Sequence, residues 1–198
     1  MKLPLILAVI AILFEINRPV PGFPPPPGTM EIGDNAYIDK QLITYLDYQE
    51  FLFSIKTRDS VLYRQMIPDD TLVTYKKKVL WNNSDFQDFP VLGLNEKQMT
   101  AYSAWRSDAV NQMIFNRSLR CSNFKYWETF DALDPDKRYK VAYAIPAKAE
   151  IQGSTLKKEK YHPDEWASDG IVPGKQTDKI SNSALRVFRC KAMYVPVK

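Results

Sequence analysis

The chain has 198 residues, which is enough for one compact domain and a short leader. Hydrophobic residues make up 45% of it and charged residues 25%, a balance that excludes an intrinsically disordered chain. The formal net charge of +4 is spread along the sequence. The lysine-rich clusters 76–78 and 157–160 are short and belong to no nucleic-acid-binding motif, so we expect no nucleic acid partner.

The N-terminal residues determine the expected compartment. Lys2 precedes an apolar run, Leu3 to Phe14, which has the length of a signal-peptide core and is shorter than a typical transmembrane helix. We therefore expect an exported protein, with residues 1–18 as a signal peptide. Because no small-x-small cleavage site is clear, the alternative is an uncleaved N-terminal anchor that makes the only membrane contact. No cysteine follows the run, which excludes a lipoprotein anchor.

A proline-rich segment, residues 19–28, separates this leader from the predicted domain at 29–198. Proline donates no ladder hydrogen bond and favours polyproline II, so the segment is predicted to be a stiff spacer. A docking segment for a partner is the alternative. Residues 29–38 are then expected to supply the first strands of the domain.

Two amphipathic helices are predicted from capping residues and apolar spacing. The first begins at Thr44, with Asp47 three positions later, and 58–68 leads out of it. The second begins at Asn95, with Gln98 three positions later. Each has an apolar face that we interpret as core and not as a ligand site, formed by Tyr48, Phe51, Leu52 and Ile55 in the first helix and by Met99, Tyr102, Trp105, Ala109 and Met113 in the second.

The rest of the chain contains little regular periodicity. Residues 139–145 resemble a strand that ends before Pro146. A closing strand is predicted where Phe188, Cys190, Ala192 and Tyr194 alternate with more polar residues. Irregular structure is expected in three segments, which are 81–88, 116–136 (with Phe124, Tyr126, Trp127 and Phe130 as aromatic anchors) and 153–182.

Few residues are candidates for metal binding. The single histidine, His162, has no ligand-like partners at a recognisable spacing. The carboxylates of Asp131, Asp134 and Asp136 lack the spacing of a calcium loop and favour a turn. Cys121 and Cys190 are compatible with one disulfide but cannot form a zinc site alone. We therefore expect no metal and no cofactor.

Four motifs, in order, resemble the formylglycine-generating enzyme superfamily, the sulfatase-modifying-factor domain. The first two are Gly28–Gly33, similar to the family's opening strand, and Tyr37–Phe51, similar to its Ile-Asp-x-x-Glu-Val-Thr-Asn-x-x-Tyr-x-x-Phe motif. The third is Pro90–Trp105. The fourth is split between Tyr143–Glu150 and Val187–Cys190. The matching positions, called framework residues below, are Asp39, Thr44, Tyr48, Phe51, Pro90, Val91, Gly93, Ala101, Tyr102, Trp105, Pro146, Glu150, Phe188, Arg189 and Cys190.

This resemblance implies an α+β, C-type-lectin-like fold, shortened, with much irregular structure and a small mixed sheet. It also exposes two departures from the family. Catalytic members carry a redox-active, copper-binding cysteine pair before the closing Phe-Arg-Cys, whereas no cysteine lies between Pro146 and Cys190. That chemistry needs thiolates, so the chain is expected to be a pseudoenzyme and not an enzyme.

The second departure concerns a structural crosslink. In the family, the closing cysteine usually pairs with a cysteine at the position that Ser103 occupies here. Cys190 has therefore lost the partner that the resemblance implies. Cys121 could replace it if the fold brings the two residues near each other; otherwise Cys190 is a buried free thiol.

The family comparison also suggests a function. Non-catalytic members occur among the gliding-motility and type IX secretion proteins of Bacteroidota, which are commonly lipid-anchored. The resemblance implies a structural or assembly subunit of a bacterial cell-envelope complex, located in the periplasm, at the outer membrane or at the cell surface, with other envelope proteins as partners. The alternative is a lectin-like glycan- or peptide-binding module that uses Trp81, Trp127 and Trp166.

Overall fold

The largest sheet in the part of the chain that the structure describes is a four-stranded antiparallel sheet, formed in spatial order by Thr29–Gly33, Ala36–Asp39, Lys191–Pro196 and Tyr139–Ala144. The computed structural model describes residues 25–33, 35–68, 74–75, 77–120, 139–154, 164–173 and 186–196. The strands are β1 (Thr29–Gly33), β2 (Ala36–Asp39), β3 (Thr74–Tyr75), β4 (Lys78–Val79), β5 (Tyr139–Ala144), β6 (Glu165–Ala167), β7 (Gly170–Val172) and β8 (Lys191–Pro196). The helices are α1 (Tyr45–Lys56), α2 (Ser60–Met66), α3 (Glu96–Arg120) and α4 (Lys148–Gln152), with a 3-10 turn at Ser84–Phe86.

Both predicted capping boxes are present. The Thr44 hydroxyl accepts from the Asp47 backbone N–H at 3.2 Å, and the Asp47 carboxylate accepts from the Thr44 N–H at 2.9 Å. At the start of α3, the Asn95 side chain accepts from the Gln98 N–H at 3.0 Å, and the Gln98 side chain accepts from the Asn95 N–H at 2.9 Å. These reciprocal bonds satisfy backbone donors that a helix start leaves free, which is why both helices begin where predicted.

The two long helices meet through aromatic rings. Tyr48 and Phe51 of α1 lie with their ring centroids 5.8 and 5.9 Å from that of Tyr102 on α3. Phe188, which precedes β8, packs edge-on against Tyr102 at 5.6 Å. All four side chains are buried. Such offset and edge-to-face contacts stabilise a core beyond the area that they bury.

Helix α3 also covers the edge of the sheet that β5 forms. The Asn111 side chain accepts from the Val141 N–H at 2.9 Å and donates to the Val141 carbonyl at 2.8 Å. The Ser107 hydroxyl accepts from the Tyr143 N–H at 2.8 Å. Because β5 pairs on its other side with β8, these bonds occupy backbone groups that an edge strand would otherwise expose.

The fold class is α+β, as expected, but several local predictions are wrong. The sheet is antiparallel and not mixed. Segment 58–68 contains α2, whose N-cap is Asp59. Helix α3 continues to Arg120, through the start of a segment expected to be irregular. The predicted loop 153–182 includes the β6–β7 hairpin. Residues 187–190 are all buried, so the expected alternation of the closing strand begins only with β8.

Some predictions fall on residues outside the described ranges. They concern the leader, most of the spacer, the second cysteine, the histidine and the loop carboxylates, namely residues 1–18, 19–24, Cys121, Phe124, Tyr126, Trp127, Phe130, Asp131, Asp134, Asp136 and His162. Among the described residues, no helix has both the length and the apolarity needed to cross a bilayer.

Candidate functional site

A cavity of about 540 Å³ lies between α1, α3 and the loop that follows β2, and we call it the α1–α3 cavity. Its size is within the range of ligand pockets in proteins, about 300–1,000 Å³. Three parts of the chain line it: Gly28 and the segment from Asp39 to Ile43, then Asp47 and Glu50 of α1, and finally Tyr102, Trp105, Arg106, Ala109, Val110 and Met113 of α3.

The cavity corrects the interpretation of α3 as a helix with a wholly buried face. Met99 and Tyr102 are buried in the core as expected. Trp105 packs against that core but is only partly buried, and Ala109 and Met113 are also partly buried. These three residues line the cavity. The apolar stripe therefore continues from the core into the lining of this cavity.

A largely buried ion pair lines the cavity. The Arg106 guanidinium donates to both carboxylate oxygens of Asp39, at 2.6 and 2.7 Å. The Cys190 backbone N–H donates to the same carboxylate at 2.8 Å. The guanidinium also lies 4.4 Å from the centroid of the Tyr143 ring. Helix α3, strand β2, strand β5 and the segment before β8 are joined at this one group of charges.

The electrostatics of this pair follow from its burial. Burial works to lower the pKa of Arg106, but the Asp39 carboxylate beside it raises that pKa above its ordinary value. Burial also raises the pKa of Tyr102, whose phenol stays neutral. Arg106 is therefore a fixed cation engaged with Asp39 and is not a proton donor. Asp39 is a framework residue, whereas Arg106 is not, although it directly follows Trp105, where the third motif ends.

Cys190 and Ser103 are neighbours in the core. The Ser103 hydroxyl donates to the Met99 carbonyl at 2.9 Å, and its oxygen lies 3.4 Å from the Cys190 sulfur. Cys190 is a free cysteine with no exposed surface, and burial raises the pKa of its thiol to about 12. The thiol is therefore neutral and sequestered at physiological pH, the opposite of a reactive cysteine. Cys121 lies outside the described residues, but Cys190 forms no disulfide in the structure, so of the two expected states it is the buried free thiol.

A second buried ion pair involves the framework residue Arg189. Its guanidinium donates to Glu165 at 2.7 and 3.2 Å, and both side chains are at most 1% exposed. The Val187 N–H donates to the Asp164 carbonyl at 2.9 Å, and the Val187 carbonyl accepts from the Trp166 N–H at 2.8 Å. These bonds join Val187 to β6 and to the residue before it. Arg189 thus joins β6 to the segment before β8.

The remaining framework residues also occupy structural positions. Glu150 caps the start of α4, accepting from the Ala147 N–H at 2.6 Å, and its carboxylate pairs with Lys191 at 3.2 Å. Val91 is buried, and its N–H donates to the Ile43 carbonyl at 2.9 Å. Gly93 has a φ of 76°, which favours glycine. Pro90 forms a β-bridge with Thr44, Pro146 accepts from the Ser168 N–H at 2.8 Å, and Ala101 packs against the core.

The tryptophans proposed for glycan binding do not form one described surface. Trp81 lies against Tyr45, with ring centroids 5.9 Å apart. The Trp166 ring packs under the Arg186 guanidinium at 4.9 Å. Trp127 is outside the described ranges. Trp105, which the sequence assigned to the core, packs against the core and also lines the cavity.

No protein-family model, curated protein or solved structure matches this chain. Among the residues that the structure describes, no group of three or more histidine, cysteine or carboxylate side chains is arranged to hold a metal ion.

Proposed function

We propose that this chain is a non-catalytic member of the formylglycine-generating enzyme superfamily, with a shortened C-type-lectin-like fold. It is exported and serves as a structural or assembly subunit of a bacterial cell-envelope complex, of the kind linked to gliding motility or type IX secretion. Its partners are other envelope proteins.

One contact carries the family assignment. The resemblance implies that position 103 and the closing cysteine are crosslink partners in the family. Their side chains lie 3.4 Å apart here, from the Ser103 oxygen to the Cys190 sulfur, although 87 residues separate them in the chain. The structure therefore brings together the two positions that the resemblance implies are crosslink partners, and this contact supports the proposed family.

The state of Cys190 supports a function without thiol chemistry. The family's oxidation of a substrate cysteine uses a pair of accessible thiolates. The chain has two cysteines, and Cys190 is buried with a raised thiol pKa. Cys121 alone cannot form such a pair. What the described residues do offer is the α1–α3 cavity, which supports binding as the activity of the domain.

The test is affinity purification of the tagged full chain from its native cell envelope after mild crosslinking, with partners identified by mass spectrometry. We expect one or a few envelope proteins in reproducible stoichiometry. A parallel assay should find no conversion of a cysteine-containing sulfatase-motif peptide to an aldehyde. Aldehyde formation, or the absence of any stoichiometric envelope partner, would refute the proposed function.

The alternative, a lectin-like glycan- or peptide-binding module, is favoured by one observation. Trp105 and the carboxylates of Asp47 and Glu50 line the same cavity, and aromatic rings beside polar groups are typical of ligand sites. A glycan array compared with a peptide array separates the two kinds of ligand. Glycan binding that Trp105→Ala abolishes would favour the lectin function over the assembly function.

A further inference from the structure

The charges that line the α1–α3 cavity do not balance. Asp39 and Arg106 neutralise each other. The remaining charged groups are the carboxylates of Asp47 and Glu50 and the ammonium of Lys40, which leaves one negative charge in excess.

Both carboxylates on α1 are available to a cation. The Asp47 carboxylate accepts hydrogen bonds from the backbone and hydroxyl of Thr44, which orient it without neutralising it. Glu50 is exposed one turn later on the same helix. In the described part of the chain, neither carboxylate forms an ion pair with a lysine or arginine. A cation that enters here meets two negative groups three residues apart on one helix face.

The opposite wall, on α3, is apolar. Trp105, Ala109, Val110 and Met113 form a partly buried stripe along the helix where it faces the cavity. The Trp105 ring packs against the Phe51 and Tyr102 rings at centroid distances of 5.6 Å, and the residue also lines the cavity. The wall therefore suits an aliphatic chain.

We propose that the α1–α3 cavity binds a lysine or arginine side chain presented by an extended segment of a partner protein. The aliphatic stem lies along the α3 stripe, and the charged end reaches Glu50 and Asp47. This inference rests on the proposed assembly function. A protein segment fits better than a polyamine because the cavity has an excess of a single negative charge, which one side chain balances.

The test is a titration of the purified full chain, observed through the backbone and indole N–H signals by NMR. The probes are acetyl-Ala-Ala-Lys-Ala-Ala-amide, the same peptide with norleucine for lysine, and spermidine. The variant is Glu50→Gln, and Glu31→Gln, an exposed glutamate on β1 that does not line the cavity, is its matched control. Both glutamates are exposed, and glutamine has nearly the same shape as glutamate, so each change removes a charge and leaves the size of the side chain the same.

We expect the lysine peptide to change the chemical shifts of Trp105 and of the first turn of α1, and these changes should reach saturation during the titration. The norleucine peptide and the Glu50→Gln variant should each bind about fivefold more weakly, which corresponds to one partly exposed ion pair, and Glu31→Gln should bind like the original chain. Equal binding of both peptides, unchanged binding by Glu50→Gln, or spermidine binding more tightly than the lysine peptide would overturn the proposal.

This result is independent of the partner search. If an envelope partner is recovered equally well with Glu50→Gln and shows no dependence on its basic residues, the assembly function stands and the cavity proposal fails. If the lysine peptide binds as expected but no stoichiometric envelope partner exists, the cavity proposal stands as a binding site and the assembly function fails.

Discussion

At the scale of single residues, burial determines what the chemically active groups can do. Arg106 and Cys190 would be candidates for catalysis if only their types were considered. Arg106 is engaged by Asp39 through two hydrogen bonds, and Cys190 has no exposed surface. Both groups therefore act as parts of the fold, and each makes a distinct prediction.

The Cys190 thiol should resist modification until the protein unfolds. The pKa of this thiol is about 12 in the folded protein, above its ordinary 9.0. The free energy of unfolding should therefore be unaffected by the thiol below about pH 9 and should fall as the pH rises from about 9 to about 12. In a Cys121→Ser background, Ellman's reagent at pH 8 should label the thiol only in denaturant. Urea unfolding from pH 8 to 11 should show the decline, and Cys190→Ala should make it shallower. Rapid labelling of the folded protein would contradict this prediction.

Removing the Arg106 guanidinium should lower the free energy of unfolding. Arg106→Met leaves the buried Asp39 carboxylate without its cation, which typically destabilises a protein by about 3–5 kcal/mol. The control is Lys78→Met, which breaks the exposed pair with Asp85, and such pairs contribute less than about 1 kcal/mol. Urea unfolding at pH 7 measures both. If Arg106→Met lowered the free energy of unfolding no more than Lys78→Met does, the Arg106–Asp39 pair would not stabilise the fold.

At the scale of elements, α3 joins the core, the cavity and the sheet edge. Its N-terminal turns pack in the core, and its middle turns line the cavity through Trp105 and Ala109. Its side chains at Ser107 and Asn111 bond to β5. The same helix therefore sets both the shape of the candidate site and the protection of the open sheet edge.

The bonds between α3 and β5 lead to a prediction for local stability. Asn111→Ala removes both hydrogen bonds to the Val141 backbone and leaves an edge strand partly unprotected. Buried backbone groups left unpaired cost about 1–3 kcal/mol, so the Val141 amide should exchange its hydrogen about tenfold faster or more. Gln112→Ala, on the exposed side of α3, is the control. Unchanged exchange at Val141 would contradict this role of α3.

How far the sequence predicted these elements depended on whether the signal was local. Thr44 with Asp47, and Asn95 with Gln98, form their bonds within one helical turn, so the sequence revealed both helix starts. Helix α2 and the β6–β7 hairpin are short and have weak periodicity, and they were missed. The cavity could not be predicted, because helical spacing places Trp105 and Met113 on one face but does not say what lies opposite that face.

At the scale of the whole molecule, the segment before β8 is joined to distant parts of the chain by charged and polar contacts. Arg189 and Cys190 contact Glu165 and Ser103, and the Cys190 N–H bonds to Asp39. The framework residues that the described ranges include are used for capping, packing or pairing. Under the proposed family assignment, the contact between the Ser103 hydroxyl and the Cys190 thiol lies where the family has a crosslink.

The proposed framework is tested most directly by introducing that crosslink. In a Cys121→Ser background, Ser103→Cys should oxidise to a disulfide with Cys190, detected by mass spectrometry without reduction. Closing a loop of 87 residues should stabilise the fold by up to about 4–5 kcal/mol. Ala104→Cys, on the exposed side of the same helical turn, should not pair. If Ser103→Cys and Cys190 both remained free thiols in the oxidised, folded protein, the proposed framework would be contradicted.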